Sequence, residues 1–186
     1  MAVVIMEADN VRKHFAATCR ELGAGMARRV FSMALNKEGR KAYTAHRRAL
    51  VRQTSIPRSS INAAVKFRQA TRATLATRTT GHGRHLPLVL FGAKQFSYGV
   101  RAKVWGKTQI YKSAFIVDRY AGNVFKRTSK ARLPIERLWG PSIPVEMLKD
   151  KAFAAWEAQQ NKVLSEAQRL IAVMLDGGGL RAGGRG

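Results

Sequence analysis

The chain predicts an α+β fold: a long N-terminal helix, a short second helix, a central and mainly antiparallel β-sheet, and a long C-terminal helix. Three observations carry that expectation. Apolar residues recur at steps of three and four over residues 11–33, alternate with polar ones over 96–104, and return to helical spacing from 145 onward. At 186 residues the expectation is one basic domain over 1–176, large enough to bury a core, followed by a flexible Gly/Arg-rich tail over 177–186.

Each element has its own signals. Asp9 or Asn10 is placed to cap the first helix, whose stripe is Val11, Phe15, Cys19, Leu22, Met26, Val30 and Met33. Gly23, Gly25 and Gly39 each weaken a helix by roughly 1 kcal/mol against alanine, and a bend is expected at Gly39. Ile56-Pro57 ends the helix. Ser59 or Ser60 caps the second, through Ile61, Ala64, Val65 and Arg68. Leu86 to Phe91 is a short apolar run with strand character. Phe96, Tyr98, Val100, Ala102 and Val104 then alternate with Ser97, Gly99, Arg101 and Lys103, a strand with a basic outer face. Residues 110–117 and 123–127 read as strands joined by a hairpin loop over 118–122. Ser142 caps the last helix, Pro144 suits its first turn, and Val145, Leu148, Ala152, Trp156, Val163, Ala167, Leu170 and Met174 mark its apolar side.

Charge is the dominant compositional fact. The net charge is +23, yet 46% of residues are hydrophobic, too many for a disordered basic tail. Between Glu38 and Asp118 no acidic residue occurs, while 16 Lys and Arg do. Those cations face water, a polyanion or acidic surfaces of a partner. The candidates for DNA or acidic-partner contact are Arg47, Arg48 and Arg52 on the late first helix, Arg58, Lys66, Arg68, Arg72 and Arg78 beyond it, and Arg101 and Lys103 on the alternating strand.

Catalytic patterns are lacking. His82 and His85 have no Cys, Asp or Glu close in sequence to complete a metal set, Gly81-His82-Gly83 is not a phosphate-binding fingerprint, and no Gly-x-Ser-x-Gly occurs. Cys19, the single cysteine, reads as a small core residue of the first helix. The expectation is a protein without enzymatic activity, cofactor or metal. The N-terminus has no charged region of the kind an export signal carries, and no apolar run approaches a membrane span, which leads to the expectation of a chain made in the cytoplasm with no membrane partner.

The stretch over 124–147 carries the family-level signal. A basic run leads into an apolar segment with Pro134, Pro141 and Pro144, which excludes a central strand because each proline lacks a backbone donor. Leu133, Ile135, Leu138, Trp139 and Ile143 read as a core-packed connector that docks in one defined shape. Phe125-Lys126-Arg127, then Arg132-Leu133-Pro134-Ile135, then Leu138-Trp139-Gly140-Pro141-Ser142-Ile143-Pro144, resembles the prophage minor tail protein Z family, the tail-completion proteins of long-tailed bacteriophages. In residue detail the resemblance is confined mainly to 115–147; in architecture it covers the chain. It implies a structural virion protein at the head-proximal end of a tail, assembled in the host cytoplasm. The implied partners are tail terminator or tube proteins, neck (head-tail connector) proteins, packaged double-stranded DNA, and copies of itself in a cyclic, sixfold assembly. Phe125, Arg127, Arg132, Leu133, Pro134, Ile135, Leu138, Trp139, Gly140, Pro141 and Pro144 form the implied docking motif. Two other readings stay open: a free nucleic-acid-binding protein of ribosomal or nucleoid type, and a head-tail connector subunit of another class.

Overall fold

A computed structural model describes residues 1–6 and 9–176, the side chains of 9–13 and 21 excepted. The expected tail over 177–186 and the capping side chains of Asp9 and Asn10 therefore lie outside the described residues. Helices and antiparallel strands combine as the sequence predicts, and the fold is α+β. The helices are α1 (Asp9–Leu22), α2 (Ala24–Thr54), α3 (Arg58–Ala64), α4 (Ile143–Glu146), α5 (Asp150–Gln160) and α6 (Lys162–Leu175). The strands are β1 (Ala2–Met6), β2 (Val65–Arg68), β3 (Thr77–Gly81), β4 (His85–Pro87), β5 (Lys94–Phe96), β6 (Gly99–Val104), β7 (Lys107–Lys112), β8 (Ala114–Val117), β9 (Asn123–Arg127), β10 (Ile135–Arg137) and β11 (Trp139–Ser142). They are distributed over four small sheets, ordered β1-β3-β2, β10-β9-β8, β11-β4 and β5-β6-β7.

Local chemistry explains the departures from expectation. The first helix breaks at Gly23, which adopts φ +78°, and not at Gly39. Gly39 stays helical because its missing side chain serves packing: a Cβ there would lie 2.9 Å from Thr77 Oγ1. Val65–Arg68 leaves the second helix for β2, since the β-branched Val65 is extended and buried. Pro87 ends β4, and Leu88–Phe91 closes into a 3-10 turn in place of the expected strand. The C-terminal helix is divided: Asp150 takes a positive φ of 46° at the start of α5, and a turn at Asn161 separates α5 from α6. Val145 and Leu148 consequently fall outside its apolar side and are exposed, while Ala152, Trp156, Val163, Ala167 and Leu170 are buried. Ser142 flanks α4 without a side-chain capping bond, and Cys19 is half-buried instead of sitting in the core.

The chain forms two compact units. One comprises residues 1–2, 46–66 and 80–153; the other, residues 3–45, 67–79 and 154 onward. In the first, Val100, Ala102 and Val104 turn one face of β6 inward, and Leu50, Ile61 and Val124 are buried in the same unit. The β6–β7 connection is Trp105–Gly106, both with positive φ (52° and 72°), the geometry of a tight hairpin whose twist matches its strands. That tip meets the end of α2: Trp105 N–H donates to Thr54 O at 3.1 Å and Gly106 N–H to Ser55 Oγ at 3.1 Å. In the same unit, His46 is fully buried with Nε2 donating to Met147 O at 3.0 Å, and burial holds its imidazole below the usual range.

The second unit holds residues 24–45 of α2 together with α6. Phe31, completely buried, meets Phe15 edge-on at 5.3 Å. Asn36 fastens the loop after β2 by both ends of its amide, donating to Ala70 O (2.9 Å) and accepting from Ala70 N–H (2.7 Å). Glu166 joins the helices electrostatically. Arg169 donates to both of its oxygens (2.7 and 3.2 Å) and Lys37 Nζ lies 2.9 Å away. The Arg169 hydrogen bonds, with Lys37 assisting, pull this carboxyl down to about 2 despite its burial.

Candidate interaction surface

The motif over 125–144 is ordered by strand pairing. In β9–β10, Ile135 faces Arg127, Glu136 faces Lys126 and Arg137 faces Phe125. Leu138 N–H donates to Val124 O at 2.9 Å, so the ladder continues to the start of β11. Pro134 follows a cis peptide at the edge of the pairing, and Thr128 Oγ1 donates to its carbonyl at 3.2 Å. The prolines occupy no central strand: Pro141 lies in the two-stranded β11–β4 sheet, where every strand is an edge, and Pro144 opens α4. Gly140 is required by contact, because a Cβ there would lie 2.6 Å from the Phe91 ring.

Burial divides the motif in a way composition did not reveal. Gly140, Pro141, Ile143 and Pro144 are buried, and Phe125, Ile135 and Leu138 are half-buried. Leu133 and Trp139, expected in the core, are 67% and 48% exposed. The reason is geometric: Leu133 precedes β10 beyond its last paired residue, and Trp139 projects from an edge ladder toward Arg137 instead of inward. The Arg137 guanidinium lies 4.2 Å over the Trp139 ring and donates to Asn123 Oδ1 at 2.6 Å. Arg137 Nε is buried without a hydrogen-bond partner. Tyr120, Asn123, Phe125, Ile135 and Arg137 line a shallow open groove of about 470 Å³. Arg127 sits 5.5 Å over the Phe115 ring, and Arg132 is exposed.

The basic candidates divide between the two units. Arg48, Arg52, Arg58, Lys66, Arg68, Arg72, Arg78, Arg101 and Lys103 are all exposed, and Arg47 is half-buried. Arg48 and Arg52 lie one turn apart on α2, and Arg101 and Lys103 share the outer face of β6. Arg68, Arg72 and Arg78 belong to the second unit, in β2, β3 and the loop between them. Sequence reasoning missed Lys94, which strand register sets opposite Arg101, and Lys112, set opposite Gly99 on the same face; only the sheet pairing reveals them. His85 sits on β4 with Nδ1 3.1 Å from Gly140 O, a structural contact, and His82 is exposed.

Among the described residues no group of three metal-ligating side chains converges, and no helix is long and apolar enough to cross a membrane. Comparison with known proteins finds no matching family model, no matching curated protein and no matching solved structure.

Proposed function

We propose that the chain is a structural virion protein that completes the head-proximal end of a phage tail. In this reading it acts as a subunit of a cyclic assembly, touching tail terminator or tube proteins, neck proteins and packaged DNA. The observation that carries it is the surface of the 125–144 motif. Its backbone is fixed by pairing and by buried Gly140, Pro141 and Pro144, while Leu133, Trp139 and the groove beside Arg137 are left facing out. A rigid segment that exposes a large aromatic and a leucine next to arginines has the composition of a protein-docking surface, with Trp and Arg as anchors. The acid-free basic stretch suits backbone contact with DNA, which needs charge and no base readout.

Particles assembled without the chain are the test. They should carry full-length tails of normal appearance that fail to join heads, and infectivity should return with the wild-type chain. A chain carrying Leu133→Asp and Trp139→Ala should fold and fail to restore it. Complete, infectious particles in the absence of the chain would refute the proposal and favour a free nucleic-acid binder.

A further inference from the structure

The β5-β6-β7 sheet gathers residues that sequence spacing keeps apart. Pairing sets Lys94 opposite Arg101, Phe96 opposite Gly99, Arg101 opposite Ile110, Lys103 opposite Thr108 and Gly99 opposite Lys112. Directly paired residues share a face of the sheet. The opposite face carries the buried Val100, Ala102 and Val104. The outward face thus holds four cations, and none of them pairs with a carboxylate among the described residues. Lys94 and Arg101 are opposed across the ladder, an arrangement that costs stability unless an anion neutralises it.

Aromatic rings edge the same face. The Arg101 guanidinium lies 4.6 Å over the Phe96 ring, and Phe96 stacks on Tyr98 at 5.3 Å with the planes only 5° apart. Tyr98 sits in the two-residue turn between β5 and β6 and is 47% exposed; Ile110, beside Arg101, is 54% exposed. Gly99 holds the turn close to β7: at φ +140°, a Cβ there would lie 2.3 Å from Tyr111 O.

We propose that this face binds single-stranded nucleic acid. Lys94, Lys103 and Lys112 follow the phosphates, an unpaired base extends the Arg101–Phe96–Tyr98 stack on the Tyr98 ring, and a neighbouring base rests on Ile110. A positive groove combined with a stacking ring is the recurrent means of holding a strand without sequence preference. Duplex DNA fits less well, because its base faces are already stacked on one another and it would use the cations alone. The inference rests on the nucleic-acid contact in the reading above and is independent of tail completion.

The test uses the full chain and fluorescence anisotropy with an oligothymidylate of roughly 16 nucleotides, the upper end of one such site, against a duplex of equal length. The single strand should bind more tightly. Tyr98→Leu should weaken it between about 5-fold and 150-fold, the range a lost base stack gives, with the salt slope unchanged. Lys94→Ala with Lys103→Ala and Lys112→Ala should lower the slope of log affinity against log salt by about 2, at about 0.7 per cation. Melting temperatures check that both variants fold. A measurement on the wild type needs no variant: a strand substituted with bromodeoxyuridine should photocrosslink at Tyr98 or Phe96. Crosslinks confined to other residues, tighter binding to duplex, or unchanged strand affinity in Tyr98→Leu would each overturn the proposal. Loss of this site with head joining intact leaves the tail reading standing; failed head joining with strand binding intact leaves this one standing.

Discussion

Replacing Glu166 by glutamine isolates the charge that ties α6 to α2. Glutamine keeps an acceptor for Arg169 and nearly the same volume, so the variant removes the ionic component and little packing. A carboxyl held at about 2 instead of about 4.5 corresponds to roughly 3 kcal/mol, at about 1.4 kcal/mol per pH unit. Lys37 and Arg169 are both about half exposed, so solvent screening reduces the expected loss to about 1–2 kcal/mol. For a chain of this size that is a drop of roughly 3–6 °C in melting temperature at neutral pH. The sign follows from the depressed folded value. The stabilisation is fully present above about 4.5 and is lost as pH falls from there toward about 2. His46 also destabilises the fold on acidification, because it is buried neutral and the unfolded chain gains its proton first. It does so equally in wild type and variant, and cancels in the difference. Thermal unfolding of both proteins between pH 7 and pH 3 should show the gap shrinking to under half its neutral value, and added salt should shrink it too. A gap that stays constant across that range would refute the electrostatic account.

Three other variants probe packing. Gly99→Ala should destabilise by roughly 3–5 kcal/mol, because the new Cβ meets the backbone Tyr111 O and the positive φ is strained for any side chain; melting within a degree or two of wild type would show that the β6–β7 approach is looser. Phe31→Ala removes a fully buried ring and its edge-on partner contact with Phe15, and should cost about 3–5 kcal/mol by urea unfolding. Trp139→Ala combined with Leu133→Asp should change stability by about 1 kcal/mol or less, since both side chains are largely exposed; a large loss by the same assay would return them to the core.

The sequence made legible those elements whose pattern is set by one nearby core face. Val100, Ala102 and Val104 alternate because a single side of β6 is buried, and Asn123–Arg127 was bounded by the turn residues before it. What it hid depends on distant neighbours. Gly39 and Gly23 look alike in composition, yet Thr77 decides that one is a packing contact, and a left-handed φ makes the other a break. β1 escaped notice because five residues, alternately buried at Ala2, Val4 and Met6, give too short a pattern to stand out. Leu133 and Trp139 carry hydrophobicity without direction, and only the register of β10 and β11 turns them outward. The cationic face of β5-β6-β7 was half visible: Arg101 and Lys103 follow from alternation, whereas Lys94 and Lys112 join them through cross-strand register.

The meeting of the Trp105–Gly106 turn with the end of α2 ties together two segments about fifty residues apart in the chain. The helix lends its orphaned Thr54 carbonyl, and the hairpin tip supplies an amide donor that would otherwise face solvent. Neither end is satisfied alone, so fraying of the helix terminus and opening of the hairpin become a single event. Hydrogen exchange should report it: the amides of Ser55 and Trp105 exchange through one shared opening, at one common free energy, although one closes the last turn of a helix onto Val51 O and the other belongs to a β-turn.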